Sequence, residues 1–280
     1  MAYLYRERRW YCGNYLEVDV FPVFPKAKGR APKMKPSTEV IQRLNEHNAE
    51  MKLIRLLNAN FTGDDLEVHL TYNDANLPQT DEEAARDVQN YLRRVKRYRQ
   101  RKGLQELKYI CVAEGGHGTG TRYHFHVTMS GADRDEIEKL WGYGYANAKR
   151  LQYNENGVEG LALYITKQFR TKKKNGETVF RKRWTASKNL VMPPPKDRDG
   201  RLSERRVKSI VRDIPSVCKI FEKNYPGYRF ASAWTYANDL NDGCYLCVRM
   251  YRTTAPLANR KTKTKTGGKN DERRDTQGGA

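Results

Sequence analysis

The sequence lacks any apolar run that is long enough to cross a membrane. Its longest apolar stretches, such as Leu161 to Ile165, are far shorter than the roughly 20 residues that a membrane span needs. The N-terminus carries charged residues where a secretory signal peptide has an apolar block. We therefore expect a protein that stays in the cytoplasm and has no membrane partner.

Cysteine is scarce, and its spacing does not indicate a disulfide framework. The five cysteines, an odd number, are spread over 280 residues: Cys12, Cys111, Cys218, Cys244 and Cys247. Cys244 and Cys247 form one CxxC pair, but a structural zinc site needs two further ligands and the sequence has no second pair. We expect reduced thiols at all five positions.

Acidic residues are strongly outnumbered by basic ones. The chain has 33 Asp and Glu against 53 Lys and Arg, which gives a formal net charge of +20. An excess of this size indicates a polyanionic partner, and nucleic acid is the partner that we expect. Hydrophobic residues make up 38% of the chain, which is enough to build a folded core.

Two segments concentrate the positive charge. Residues 253–280 have almost no apolar side chains and are predicted to form a disordered tail. Between Arg170 and Lys188, cations stand beside aromatic residues, which suits phosphate contacts combined with base stacking; a solvated basic loop is the alternative. The DNA-binding candidates in this segment are Lys172, Lys173, Lys174, Arg181, Lys182, Arg183 and Trp184.

Hydrophobic periodicity predicts an α+β fold. Period-two alternation or apolar runs predict strands at Leu66–Tyr72, Lys108–Glu114, Tyr123–Met129 and Ala146–Tyr153. Helical spacing and capping signals predict helices at Ser37–Asn58, Thr80–Gly103, Asp133–Trp141 and Val158–Phe169. This order of elements predicts an antiparallel-rich central sheet with helices on one face and the other face free for a ligand.

The pattern divides the chain into four parts. We expect an N-terminal strand and helix extension at 1–59, a core at 60–170, a basic accessory subdomain at 171–252 and the basic tail at 253–280. Within the accessory part, we expect a basic helix around Arg205–Arg212 and a tyrosine-rich hairpin from Arg229 to Tyr251.

A His-Phe-His triplet on a predicted strand is the clearest candidate for a metal site. In the strand Tyr123–Met129, His124 and His126 point to the same face and lie about 6.5 to 7 Å apart, within reach of one cation. Glu114 ends the preceding strand, so the hairpin brings its carboxylate beside them. We predict these three residues as ligands of Mn²⁺ or Mg²⁺, with His69 as the next candidate for the third position. Two surface histidines without a ligand are the alternative.

A tyrosine and a lysine supply a candidate nucleophile. Tyr164 and Lys167 are three positions apart on a predicted helix, so they share one helical face. A tyrosine beside a metal-bound phosphate can attack phosphorus, and a neighbouring lysine can lower the pKa of the phenol or bind the developing charge. A tyrosine alone on an amphipathic helix is more often a core residue, so the prediction depends on the combination with the histidines.

The order of these motifs resembles that of a known family. His124-Phe125-His126, with Tyr164-Ile165-Thr166-Lys167 downstream, is similar to two motifs of the HUH-superfamily endonucleases, especially the rolling-circle replication initiators of small phages and plasmids. Leu70-Thr71-Tyr72 with Asn73-Asp74 resembles the first motif of that family. The resemblance covers about residues 60 to 170. It implies nicking of single-stranded DNA at an origin, a 5′-phosphotyrosine link at Tyr164 and a free 3′-hydroxyl for the polymerase.

Two absences indicate which type of HUH enzyme the chain resembles. The positions four residues from Tyr164 are Gly160 and Gln168, so the chain resembles a one-tyrosine enzyme. A second cleavage would then need a second protomer, in a homodimer, or another turn of the cycle. No GxxxxGK[ST] motif is present, so the sequence offers no helicase motor. The expected partners are therefore an origin, which can be a hairpin, and the helicase and DNA polymerase of a bacterial host, in whose cytoplasm the protein would act.

Two alternatives remain open at this point. A transposase or a conjugative relaxase would use the same chemistry for a different purpose. A non-enzymatic protein that stacks single-stranded nucleic acid on its sheet would account for the basic and aromatic composition, but it leaves the order of the histidine and tyrosine motifs unexplained.

Overall fold

A computed structural model describes residues 4–24, 38–116, 120–152, 158, 161, 184–238 and 243–253. The strands in these ranges are β1 (Leu4–Cys12), β2 (Tyr15–Val23), β3 (Leu66–Thr71), β4 (Tyr109–Glu114), β5 (His124–Met129), β6 (Ala146–Arg150), β7 (Thr185–Ala186), β8 (Lys196–Asp199), β9 (Tyr228–Asn238) and β10 (Gly243–Arg252). The α-helices are α1 (Thr38–Asn60), α2 (Asp81–Arg101), α3 (Arg134–Lys139), α4 (Glu204–Arg212) and α5 (Ile214–Asn224).

The described strands form two antiparallel five-stranded sheets. The site sheet has the order β6-β3-β5-β4-β7, and the terminal sheet has the order β8-β1-β2-β10-β9. All of the pairings in both sheets are antiparallel. The mixed α+β class and the antiparallel-rich sheet are confirmed, and the architecture is consistent with an HUH/RRM-like fold.

One face of the site sheet carries helices α2 and α3. Helix α2 begins at the predicted capping signal, since the Thr80 hydroxyl accepts from the Glu83 amide at 3.2 Å. The Glu83 carboxylate accepts from the amide of Gln79, one residue before the cap, at 2.7 Å. Alternate residues of β3 and β5, such as Val68 and Phe125, are buried in one core with the apolar face of α2. Because strand side chains alternate, the residues between them face the other side of the sheet.

Helix α1 lies between the two sheets. Its Ile54 and Leu57 belong to the same apolar core as Ile110 and Val112 of β4 and Tyr15 of β2. Helix α1 therefore covers the second face of the site sheet near β4. Nearer β3 and β5, polar side chains occupy this face. The sequence predicted this helix, but not the surface that it covers.

The terminal sheet joins distant parts of the chain. The β1–β2 hairpin pairs with β10 through β2, so that Val18 lies opposite Val248. Helices α4 and α5 cover the far side of this sheet with apolar residues such as Ile210 and Phe221. The predicted hairpin near the C-terminus is present as β9 and β10, while the division of the chain into four parts stays a prediction.

Several predictions fall outside the described residues. They are the helix Val158–Phe169, apart from Val158 and Leu161, the basic residues up to Arg183 and nearly all of the tail. Among the helices of the described ranges, none is both long and apolar enough to cross a membrane.

Candidate metal centre

Three histidines meet on the polar face of the site sheet. His69 of β3 lies directly opposite His126 of β5, and Thr71 lies opposite His124. The His69 and His126 rings stack with their centroids 4.7 Å apart, and the centroids of His69 and His124 are 5.4 Å apart. One nitrogen from each ring lies within 4.8 Å of those of the other two. The antiparallel register therefore assembles three nitrogen donors from two strands.

Glu114 contacts two of these histidines from the neighbouring strand. It lies opposite His124 in the pairing of β4 with β5. Its Oε2 is 2.8 Å from His124 Nε2, and its Oε1 is 3.4 Å from His126 Nε2. The Glu114 side chain is 6% exposed and that of His126 is 5% exposed, whereas that of His124 is 22% exposed. The cluster is thus open to solvent on the His124 side.

A backbone carbonyl orients His124. Its Nδ1 is 2.9 Å from the Arg122 carbonyl oxygen, which accepts a hydrogen bond from a protonated Nδ1. With Nδ1 bonded to this carbonyl, Nε2 is the ring nitrogen that faces the cluster. It donates to Glu114 while it carries a proton and can bind a cation once that proton is lost. The contact of Nδ1 with a backbone carbonyl is the arrangement that supports metal-ligating histidines in proteins.

The charges of the cluster depend on burial and on these contacts. Burial opposes ionisation of Glu114, but hydrogen bonds from His124 and His126 outweigh it and lower the pKa of the carboxyl. Burial also opposes the charged form of His124, yet the Glu114 carboxylate and the Arg122 carbonyl raise the pKa of that ring. Burial, together with the charges of His126 and His124, lowers the pKa of His69 to about 4. At neutral pH the cluster therefore contains an ionised carboxylate and a neutral His69.

The side chains in this cluster fit a divalent metal ion. His69 Nε2 is buried and has no hydrogen-bond partner among the residues that the structure describes. A buried lone pair without a partner is costly, and a cation would satisfy it. His69, His124 and His126 can hold such an ion with a small movement of their rings, and the Glu114 carboxylate supplies negative charge beside it. These donors do not by themselves identify the metal.

A glycine at the end of β4 permits the close approach that orients His124. Gly115 has φ of +73°, and a Cβ at this position would collide with the Arg122 carbonyl oxygen. Only glycine tolerates both the left-handed backbone and this contact. The carbonyl that Gly115 approaches is the one that accepts from His124 Nδ1.

We expect Gly115→Ala to weaken metal binding by about tenfold, because displacing the Arg122 carbonyl leaves His124 without its orienting partner. Calorimetric titration of the purified protein with Mn²⁺ measures the effect. Gly103→Ala is the matched control, since Gly103 has φ of +65° with nothing within 4 Å of its would-be Cβ. Equal metal affinity in both variants would show that the Arg122 contact is not needed.

The structure brings some of the predicted site residues together and does not describe others. Glu114, His124 and His126 adjoin one another, and His69 completes the group of three imidazoles. Tyr164 and Lys167 lie outside the described residues, as do Lys172, Lys173, Lys174, Arg181, Lys182 and Arg183. Trp184 is half-buried, with Lys52 Nζ 5.9 Å from its ring centroid. Their roles in DNA binding and catalysis stay predictions.

The fold and the histidine cluster define an α+β protein with a candidate metal centre on an antiparallel sheet. Residues 65–169 match a family model for the replication-associated protein ORF2. The matched segment is a little more than a third of the chain, and it contains the histidine cluster, Glu114, Tyr164 and Lys167. The match supports a replication-initiator family. No curated protein and no solved structure matches the chain.

Proposed function

We propose that the protein is a metal-dependent, site-specific single-strand DNA endonuclease and strand transferase that initiates rolling-circle replication. The observation that carries the proposal is the group formed by His69, His124 and His126 inside the segment that matches a replication-associated family. The net charge of +20 supports a DNA partner. The order of the histidine and tyrosine motifs supports the HUH type, and Gly160 and Gln168, four positions from Tyr164, support a one-tyrosine enzyme.

The histidines and Glu114 would form the phosphate-positioning part of the active site. We propose that His69, His124, His126 and Glu114 hold the metal, with the open His124 side facing the DNA. A bound divalent ion would polarise the scissile phosphate and neutralise its developing charge. The Arg122 carbonyl accepts from His124 Nδ1, so Nε2 is the nitrogen that would bind the metal in place of its contact with Glu114.

Tyr164 would be the nucleophile in this proposal. Its phenolic oxygen forms a bond to phosphorus while the bond from phosphorus to the 3′-oxygen breaks, and the 3′-oxygen leaves as a hydroxyl after taking up a proton. The product is a 5′-phosphotyrosine link and a free 3′-hydroxyl. Lys167, on the same predicted helical face, would stabilise the phenolate that attacks.

Of the two predicted metals, we propose Mn²⁺ as the better fit. Three imidazoles and one carboxylate form a set rich in nitrogen, whereas Mg²⁺ prefers oxygen ligands and retains its waters. Mn²⁺ is a first-row transition ion and accepts imidazole more readily.

The decisive experiment combines the protein with single-stranded DNA from the replication origin of its own genetic element. We expect a covalent adduct with Mn²⁺ and none with EDTA, detected by denaturing electrophoresis and assigned to a residue by mass spectrometry. Tight binding that is insensitive to EDTA and leaves no adduct would favour the non-enzymatic binding protein. Cleavage that joins the ends of a mobile element, rather than an origin, would favour a transposase.

We expect His69→Ala and Glu114→Gln each to weaken Mn²⁺ binding by at least about tenfold, because the first removes a ligand nitrogen and the second removes the negative charge of the carboxylate. Calorimetry on the DNA-free protein separates metal binding from catalysis. Glu67→Gln is the matched control, since Glu67 lies two residues from His69 on the same face of β3 and opposite Thr128. Unchanged affinity in Glu114→Gln would leave three histidines as the ligands and make Glu114 a positioning residue.

A further inference from the structure

A cavity that is separate from the metal centre, and is called the second cavity below, lies outside the segment that matches the replication-associated family. It has a volume of about 570 Å³ and lies between helix α1 and the terminal sheet, with Trp10, Asp19, His47, Arg55 and Trp234 among its lining residues. Ligand sites in proteins typically have volumes of about 300 to 1,000 Å³. The cavity is therefore large enough for a nucleotide-sized group.

Aromatic side chains line the cavity. Trp234 of β9 is 50% exposed, and the His47 ring packs beside it with a centroid distance of 4.9 Å. The Arg55 guanidinium lies over the ring of Trp10, another lining residue, at 4.1 Å from its centroid. The half-exposed Trp234 is therefore the lining residue best suited to stacking with a planar ring.

The cavity differs in charge from the rest of the molecule. Two carboxylates, Glu17 and Asp19, and two cations, Lys52 and Arg55, line it, so that it is close to neutral in a chain of net charge +20. A phosphate would prefer the cationic surface elsewhere. A neutral aromatic group with polar edges fits the cavity better.

The two carboxylates have different roles. Glu17 is fully buried, accepts from the Tyr15 hydroxyl at 2.6 Å and is paired with Arg55. Asp19 is 28% exposed, and its contact with Arg55 is 3.4 Å long. Because Arg55 already contacts both carboxylates and cancels one of their two negative charges, the Glu17, Asp19 and Cys247 group is not suited to a metal ion. Asp19 therefore remains the carboxylate that can accept hydrogen bonds from a ligand in the cavity.

The cavity also adjoins one of the predicted DNA-binding residues. Lys52, which lines the cavity, lies over the ring of Trp184, the last of the DNA-binding candidates. A DNA strand bound at Trp184 would thus reach the rim of the cavity.

We propose that this cavity binds one unpaired guanine of the single-stranded DNA, stacked on Trp234 with its Watson–Crick edge toward Asp19. Guanine presents two adjacent donors, N1–H and the 2-amino group, to a carboxylate, whereas thymine presents one and adenine and cytosine present one donor beside an acceptor. The inference rests on the proposed function only for its partner, single-stranded DNA. It adds a base-reading site that is separate from the metal centre.

The first test uses the unaltered full-length protein with EDTA at about pH 8, where Asp19 is ionised because burial raises its pKa only to about 6. Fluorescence anisotropy compares short oligothymidines with no substitution, with one guanine and with one inosine, which lacks the 2-amino group. We expect the guanine to tighten binding by about tenfold and the inosine to lose about fivefold of that gain.

Two variants then identify the residues that read the base. Trp234→Ala should abolish the guanine preference, and Asp19→Asn should bind guanine and inosine strands equally. Tyr145→Ala and Asp64→Asn are the matched controls, because both residues are exposed outside the cavity, and both should keep the preference. Circular dichroism checks that each variant is folded, and the inosine comparison holds without any variant.

Three results would overturn the proposal. The first is equal binding of the thymine, inosine and guanine strands. The second is a guanine preference that survives in folded Trp234→Ala. The third is binding of free guanosine monophosphate as tight as that of the guanine strand, which would indicate a free-nucleotide site. Since no metal or cleavage is involved, failure here leaves the nuclease proposal standing. Failure to form a covalent adduct would likewise leave the base site standing.

Discussion

We expect the Tyr164→Phe protein to form no covalent adduct with origin DNA and to cleave it at least about 10⁴-fold more slowly than the unaltered protein. Phenylalanine keeps the ring but removes the oxygen that attacks phosphorus, so the step has no nucleophile. Metal binding should be unchanged, because Tyr164 is not one of the proposed ligands. Denaturing electrophoresis of the DNA and calorimetry with Mn²⁺ measure the two properties separately.

Tyr145→Phe is the matched control for this experiment. Tyr145 also lies in the segment that matches the replication-associated family, and it is 76% exposed. The control should retain full adduct formation. An adduct that persists in Tyr164→Phe would assign the nucleophile to another residue, and peptide mapping of that adduct would identify it.

His126→Ala should lower Mn²⁺ affinity by at least about 100-fold and abolish metal-dependent cleavage. His126 is the most buried of the three imidazoles, its ring stacks on His69, and its Nε2 faces the Glu114 carboxylate. Loss of a supporting residue around a metal typically costs about 10- to 100-fold in affinity, so loss of a ligand should cost more. Calorimetry gives the affinity, and thermal unfolding shows whether the variant remains folded.

His47→Ala provides the control for histidine loss. His47 packs on Trp234 beside the second cavity and is not part of the metal cluster. Its removal should leave Mn²⁺ affinity unchanged while weakening DNA binding. If folded His126→Ala bound Mn²⁺ as tightly as the unaltered protein, the metal would have to be held elsewhere.

Local sequence patterns were sufficient to predict the elements that carry the metal cluster. The alternation in β5 places His124 and His126 on one face, and the capping signal at Thr80 marks the start of α2. Each of these signals depends on residues that are close in sequence. The short hairpin that joins Glu114 to His124 is local in the same sense, so the contact between these two residues also followed from the sequence.

The role of His69 depends on strand register, which one strand does not reveal. A shift of one residue in the pairing of β3 with β5 would move His69 to the opposite face from His126. The sequence therefore ranked His69 behind Glu114, while the register places its ring directly on His126. Which strands pair, and in which register, depends on the whole sheet and not on one strand.

The terminal sheet and its cavity were beyond local prediction for a related reason. Val18 pairs with Val248, which lies near the other end of the described chain, and no periodic signal specifies such a partner. The cavity forms only where α1 crosses this sheet, so its lining combines Trp10, His47 and Trp234 from three separate segments.

The strands of the terminal sheet come from both ends of the described chain, and this affects the order of folding during synthesis. Strands β1 and β2 leave the ribosome early, but β10, which pairs with β2, and β9, which pairs with β10, are the last of the described strands to be made. Strands β3 to β6, with the histidine cluster, emerge in between and pair among themselves. A nascent chain arrested once β6 has emerged from the ribosome, but before β10 is made, would therefore carry the complete set of metal donors while its first hairpin still lacked β10. Ribosome-bound chains of this length should retain Mn²⁺ before the second cavity exists.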